Sequence, residues 1–291
     1  MKVLIHIGYP KAASTFLQHY FSAHPNIFYT GSILGSYKFS GEVEIQKAEF
    51  RKEQTHFVIS EEQLSVWQGN LDIVGVKFKD YDIQAQQKKT ALQLHAEFPD
   101  AKILLITRGF VSAWQSMYSQ YVSIGGFLSF PDFEKANSKI FSDFYNYNFL
   151  IEIYREIFGS NDVLILPFEM LKQNPSEFLR LINTQADLPA FNFDTETQNA
   201  SLEKEEMESY RKLSSIICRS ISWLPYSIQK NIYGLYVYFL YSRKLHAFTK
   251  LFSSSRELLE VSDKTISLFK GKAEILRNEN LFEPYAKEYL F

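Results

Sequence analysis

Cysteine is almost missing from this chain: Cys218 is the only one in 291 residues. That excludes an intrachain disulfide framework and any zinc site built on cysteine ligands. Charge of one sign is missing too, with 31 basic against 33 acidic residues and a net charge of −2. Without a global basic field no nucleic-acid partner is expected, and any bound anion must be met by local groups. His6, His19, His24, His56, His95 and His246 show no HExxH spacing, and no metal is expected. Long hydrophobic runs are also lacking. The ten residues from Ile232 to Tyr241 are too few to span a bilayer. Met1-Lys2 precedes only a short apolar run, not the longer region and cleavage site of a secretory signal, so a cytoplasmic location is expected. No internal repeat, low-complexity tract or long linker breaks the chain.

What is present is a soluble enzyme's composition, 46% hydrophobic and 22% charged, long enough to bury a full core. Apolar runs predict strands at 2–8, 56–60, 102–107 and 162–166. Helical patterns fall at 14–24, 61–68, 83–98, 109–123, 138–158 and 174–185. Strands alternating with helices predict an α/β fold with a central parallel sheet covered on both faces. Ligands of such sheets sit beyond the carboxyl ends of the strands. Lys11, Glu61 with Glu62, and Arg108 each follow a predicted strand end, so three distant segments can converge on one crevice.

The first of these segments is the most informative. Val3 to Ile7 runs into Gly8-Tyr9-Pro10-Lys11-Ala12-Ala13, and Ser14-Thr15 then opens a helical pattern. A strand-loop-helix of this kind aims backbone N–H groups and a helix N-terminus at one spot, and Lys11 with two hydroxyls suits that spot to phosphate or sulfate. The ATP-type loop, GxxxxGK[ST], is not met: the lysine comes three residues after Gly8, with no second glycine.

Pro10-Lys11-Ala12-Ala13-Ser14-Thr15 resembles the 5′-phosphosulfate loop of sulfotransferases, close to PK-[ST]-G-T-T. Arg108, Ser116 and Tyr118 resemble the same family's 3′-phosphate motif, RDPxxxxxSxY, with Gly109 and Phe110 in place of the usual pair. Val111, Trp114, Tyr118 and Tyr121 or Val122 form the apolar stripe of that helix; Ser116 lies off it. A third stretch, Leu166-Pro167-Phe168-Glu169-Met170-Leu171 with Pro175, is similar to a strand-E-x-L-x-x-x-P-helix segment of bacterial and carbohydrate sulfotransferases. Asn199-Ala200-Ser201 falls where many of them carry Asn-x-Ser.

The resemblance covers about residues 1–200. It implies a P-loop-like three-layer fold in one sulfotransferase domain, 1–291. Its α/β nucleotide-binding core spans about 1–200, and a helical C-terminal portion, about 202–291, packs on it. It implies 3′-phosphoadenosine 5′-phosphosulfate (PAPS) as donor and adenosine 3′,5′-bisphosphate (PAP) as product, with no metal. Pro10, Lys11, Ala12, Ala13, Ser14 and Thr15 would hold the 5′-phosphosulfate, and Arg108 and Ser116 the 3′-phosphate. The acceptor would be a glycan, a lipid-linked sugar or a small hydroxyl compound.

Chemistry of this kind needs a base for the acceptor proton and a cation for the charge growing on the leaving oxygen. Lys11 suits the second task. For the first, Ser60-Glu61-Glu62-Gln63-Leu64 resembles the S-x-E-x-L of bacterial relatives, which selects Glu62, with Glu61 as the close alternative. Ser60 and Gln63 also match a capping box, which would explain the same acids structurally. Two other classes stay open: a P-loop kinase, which the missing GK[ST] disfavours, and a non-catalytic relative that keeps the nucleotide site. Lys270-Gly271-Lys272 faintly resembles the basic-Gly segment that closes over the nucleotide. Finally, 221–252 mixes aromatic and basic residues. It suits either a peripheral membrane contact or a helical unit packed on the core or on a second copy, and leaves the oligomeric state open.

Overall fold

The computed structural model describes residues 1–29, 53–65, 82–194, 204–241 and 259–290. Its centre is a sheet of β1 (Lys2–Gly8), β2 (Ile27–Tyr29), β3 (His56–Glu61), β4 (Lys102–Thr107) and β5 (Val163–Pro167). The strands run in the order β2-β3-β1-β4-β5, and every pairing is parallel. Ile5, Ile7, Ile103, Leu104, Leu105 and Ile106 are all fully buried. Side chains buried on both faces of a strand require apolar residues without alternation, which is why these runs read so clearly.

From β1 the chain crosses toward β3 through α1 (Ser14–Ala23). From β3 it crosses back past β1 to β4 through α2 (Ile83–Glu97). Right-handed crossovers in opposite directions put their helices on opposite faces. On one face α1 lies beside α7 (Pro175–Ala186), where the Tyr20 hydroxyl donates to Asn183 Oδ1 at 2.6 Å. On the other, α2 meets α5 (Tyr147–Phe158), with the His95 and Phe158 rings edge to face at 5.1 Å. The fold is α/β, a parallel sheet between two helical layers.

Between β4 and β5 come α3 (Phe110–Ser123), α4 (Phe130–Phe144) and α5. The helix predicted over 138–158 is therefore two. The chain breaks at Tyr145-Asn146, where Asn146 Oδ1 accepts from Phe149 N and starts α5 as its N-cap. The same device starts α2 at Asp82, α4 at Ser129 and α7 at Asn174, the last two followed closely by proline. The short strand β2 is not foreshadowed by any apolar run of strand length. The predicted helix at 61–68 is partly outside the described residues; within them β3 extends to Glu61 and a 3-10 turn spans Glu62–Ser65.

Beyond β5 lie the short α6 (Phe168–Gln173), then α7, α8 (Lys204–Ile221), α9 (Tyr226–Tyr241) and α10 (Asp263–Phe269), then 3-10 segments at Glu274–Asn278 and Asn280–Tyr285. The C-terminal residues return to the sheet. Phe110 N donates to Glu288 O at 2.9 Å, and the Tyr289 hydroxyl lies 2.9 Å from Thr107 Oγ1 and 3.1 Å from Glu169 Oε2. Asn199-Ala200-Ser201 and residues 242–252 lie outside the described residues.

Candidate active site

Neighbouring strands β1 and β4 send the chain in opposite directions, toward β3 and toward β5. The crevice between their carboxyl ends is the topological switch point, where ligands of open α/β sheets bind. Two predicted site residues meet there. Arg108 Nη1 donates to the backbone carbonyl of Lys11 at 2.6 Å.

The loop after β1 is tightly wound. Lys11 and Ala13 both have left-handed backbones, with φ of 63° and 67°. Ala13 is the N-cap residue of α1, and no side chain caps that helix. Its first N–H groups, which have no intrahelical partner, thus face the loop. Gly8 is needed for packing: a Cβ there would lie 2.6 Å from Ser14 Oγ and 3.2 Å from His6 Cε1. Pro10, Ala12 and Ser14 are buried, whereas Thr15 is exposed.

Glu61 and Glu62 part company at the end of β3. Glu61 is the last strand residue, in register with Ile7, and its charge helps burial push the Tyr29 phenol up to about 12. Glu62 turns toward the loop. Burial raises its pKa above the ordinary carboxylate range; the Ser14 hydroxyl and the Lys11 ammonium oppose that rise, and Glu61 adds to it. Lys11 shows the reciprocal pattern. Burial lowers its pKa, Glu62 works against the fall, and Arg108 adds to it. The Ser60 hydroxyl shares a hydrogen bond with His6 Nδ1 at 2.7 Å instead of capping the helix expected from Ser60 and Gln63.

Arg108 is partly buried, and burial lowers its pKa. Besides the Lys11 carbonyl, its Nε donates to Ser112 Oγ at 3.0 Å, and its guanidinium lies 4.7 Å over the Phe168 ring. Lys172 covers that ring as well, at 4.8 Å. The predicted partner Ser116 is two turns into α3. It is 5% exposed, and its hydroxyl has no hydrogen-bond partner. A buried orphan hydroxyl is costly, so this one fits a site that a polar ligand completes. Tyr118, by contrast, is core: fully buried, its hydroxyl donates to Leu128 O.

Four contributors were not singled out in the sequence. Ser112 was signalled only by its i+4 spacing from Arg108, and Lys172 only by following the E-x-L stretch. Glu169, quoted within that stretch, accepts from Gly109 N at 3.0 Å and anchors the start of α3. Tyr145 could not have been found without the break between α4 and α5. It is 1% exposed, stacks on Tyr9 at 5.2 Å and has an unpartnered hydroxyl. Burial raises its pKa, with the Arg108 charge opposing and the Glu62 charge adding, so its phenol sits within the field of both.

The departure at Gly109-Phe110 has a packing cause. A Cβ on Gly109 would lie 2.6 Å from Glu288 Cβ, so glycine admits the returning C-terminal segment. Phe110 stacks on Tyr147 at 5.2 Å and meets Phe269 at 5.0 Å. In Lys270-Gly271-Lys272, Gly271 has φ 76° and its carbonyl accepts from Asn148 Nδ2 at 2.7 Å.

Among solved structures that resemble the chain is a sulfotransferase from Alicyclobacillus acidocaldarius. The match covers 79% of this chain and 99% of that one, at 18% identity and a TM-score of 0.50. The fold is shared with a sulfotransferase. Mouse sulfotransferase SULT7A1, solved in complex with PAP, matches over 99% of this chain and 88% of its own, at 12% identity and a TM-score of 0.47. No protein-family model matches, and no curated protein matches in sequence. At these identities the likeness is one of fold, and the chemistry of the site rests on its own residues. Among the described residues no cluster of His, Cys, Asp and Glu could hold a metal ion, and no helix is long and apolar enough to cross a membrane.

Proposed function

We propose that this chain is a PAPS-dependent sulfotransferase acting on a hydroxyl acceptor, a glycan or glycolipid, by in-line displacement. The observation that carries the reading is the convergence of Lys11, Ser14 and Glu62, with Arg108 tied to the Lys11 carbonyl, at the switch point. The residues fit such a donor. The N-terminus of α1 has no side-chain cap, and Ser116 offers a buried hydroxyl without a partner. The donor supplies a sulfuryl group already activated on a phosphate.

The chain's own residues would divide the work. Glu62 accepts the acceptor's proton as the new S–O bond forms, and a raised pKa brings a carboxylate nearer the strength a general base needs. As the bond to the bridging oxygen breaks, its electron pair stays on the leaving phosphate, and Lys11 stabilises that charge. The α1 N-terminus and Ser14 orient the 5′ group. Arg108 and Ser116 hold the 3′-phosphate, the guanidinium offering the donors that its present bonds leave over.

The test is turnover of labelled PAPS against panels of glycans and glycolipids, for wild type and Lys11→Ala. The reading expects label in one acceptor class and a loss of about a hundredfold or more in the variant, with unchanged melting temperature. Equal loss of stability and activity, or no transfer to any hydroxyl, contradicts it.

A further inference from the structure

Helix α9 carries apolar residues on more of its surface than the fold uses. Tyr233, Tyr236 and Leu240, spaced i, i+3 and i+7, are buried: Tyr236 shares a hydrogen bond with Ser214 of α8 at 2.8 Å, and the Tyr233 hydroxyl donates to Gly125 O. A second stripe, Ile228, Ile232 and Leu235, is spaced i, i+4 and i+7, roughly a quarter-turn round the axis. It faces outward, with exposures of 45%, 40% and 59%. Just before the helix Trp223 is 80% exposed, the indole N–H donating to Ser220 O at 2.8 Å, so the ring projects while its polar atom is satisfied locally. Large aliphatic groups on one exposed helix face, with an exposed indole in the turn before it, mark an interaction surface.

Charge says which kind. From 209 to 256 the sequence has no Asp or Glu, while it carries Arg211, Lys212, Arg219, Lys230, Arg243, Lys244, Lys250 and Arg256. The rest of the chain carries 23 basic against 33 acidic residues and is acidic, so the excess of positive charge falls in the segment that bears the apolar stripe. Arg211 and Lys212 are paired with Glu208, whereas Arg219 is exposed in the last turn of α8, four residues before Trp223, and Lys230 is exposed on the opposite side of α9 from the stripe. A second copy of the chain is a poor occupant: a two-fold interface sets a patch against itself and would bring like charges together. A surface of negative headgroups over an apolar interior matches both features.

We propose that the outward stripe of α9, with Trp223 at its start, docks on the surface of an anionic lipid bilayer. The aliphatic side chains and the indole enter the headgroup–acyl boundary, and Arg219, with the positive charge carried by 209–256, draws the surface toward lipid phosphates. The helix lies in the plane of the interface, in keeping with a run too short to cross. This inference stands independently of what the switch-point crevice binds.

The experiment uses the whole chain and vesicles of phosphatidylcholine alone or mixed with phosphatidylglycerol. Wild type is expected to co-sediment with the mixed vesicles only, less so as salt rises, with a blue shift of indole emission that Trp223→Phe removes. Ile232→Glu combined with Leu235→Glu should weaken binding about a hundredfold at unchanged melting temperature. Trp223→Ala, outside any helix, should weaken it about tenfold without touching helix α9. Absence of binding, or variants that bind as wild type does, overturns the proposal. So does a wild-type dimer that the same variants dissociate, which would make the face a seam between copies.

Discussion

Arg108 and Lys11, 97 residues apart, are joined where the chain reverses direction: the guanidinium of one donates to the backbone carbonyl of the other at 2.6 Å. The contact fixes the end of β4 against the loop after β1. It also sets a cation beside a lysine whose pKa burial has already lowered and which Arg108 lowers further. Two like charges are thereby held together around the place an anion would enter, at a cost that a bound anion relieves.

Arg108→Lys should therefore behave much like Arg108→Ala. Lysine cannot reproduce two directed bonds, to the Lys11 carbonyl and to Ser112 Oγ, together with the contact over Phe168. Nucleotides with a 3′-phosphate should lose about 1.5–3 kcal/mol of binding, and those without it should lose little. Calorimetry on both variants checks this; an equal loss for both nucleotide classes counts against it.

Glu62→Gln should cut turnover by about a hundredfold or more and yet stabilise the fold at neutral pH. The folded pKa of Glu62 is raised above its unfolded value, chiefly by burial. Whatever stability this group contributes is thus complete below the unfolded pKa and is lost as pH rises through the folded one. Removing the charge removes that cost. The wild-type pH–rate profile should show an acid limb above the usual carboxylate range, absent from the residual activity of the variant. A lower melting temperature for Glu62→Gln would contradict this.

Ala13→Gly should stabilise the protein. Ala13 has φ 67°, which costs an L-residue about 1–2 kcal/mol, against about 0.5–1 kcal/mol of extra chain entropy for glycine. A net gain of about 0.5–1 kcal/mol should appear in urea denaturation, with no loss of nucleotide binding.

Gly109→Ala should do the reverse. Its Cβ would fall 2.6 Å from Glu288 Cβ, forcing the C-terminal segment off the start of α3 and weakening the bond from Phe110 N to Glu288 O. A loss of about 1–3 kcal/mol is expected, with faster proteolysis near residue 288. Unchanged cleavage would mean that the segment is not held through this contact.

Acid should destabilise the fold well above the carboxylate range. Burial lowers the pKa of His6, to about 3, and also of His24 and His56. Depressed folded pKa values mean that stability is full above the unfolded imidazole value, near 6.5, and is lost as pH falls below it. Denaturant midpoints measured downward from pH 7.5 should fall from about pH 6.5.

Much of this could be read in the sequence because it is local. β1, β3, β4 and β5 declare themselves as apolar runs, since strands buried on both faces tolerate little else. Lys11, Glu62 and Arg108 follow strand ends, which parallel topology gathers on one edge. What could not be read depends on distant partners. The break at Tyr145-Asn146 hides inside one helical pattern, and with it the position of Tyr145. The seating of Glu288 at the start of α3 and of Tyr289 at the end of β4 joins segments about 180 residues apart, so the reason for Gly109 and Phe110 in place of the usual pair, accommodation of the tail, shows in no local pattern. Ser60 looked like a helix cap because its partner, His6, lies on another strand.

The most direct measurement is calorimetric titration of the whole chain with PAP, AMP and magnesium-ATP. The account predicts tight binding of PAP, loss of most of that affinity when the 3′-phosphate is absent, and no requirement for magnesium. Preference for magnesium-ATP, or equal affinity for PAP and AMP, would contradict it.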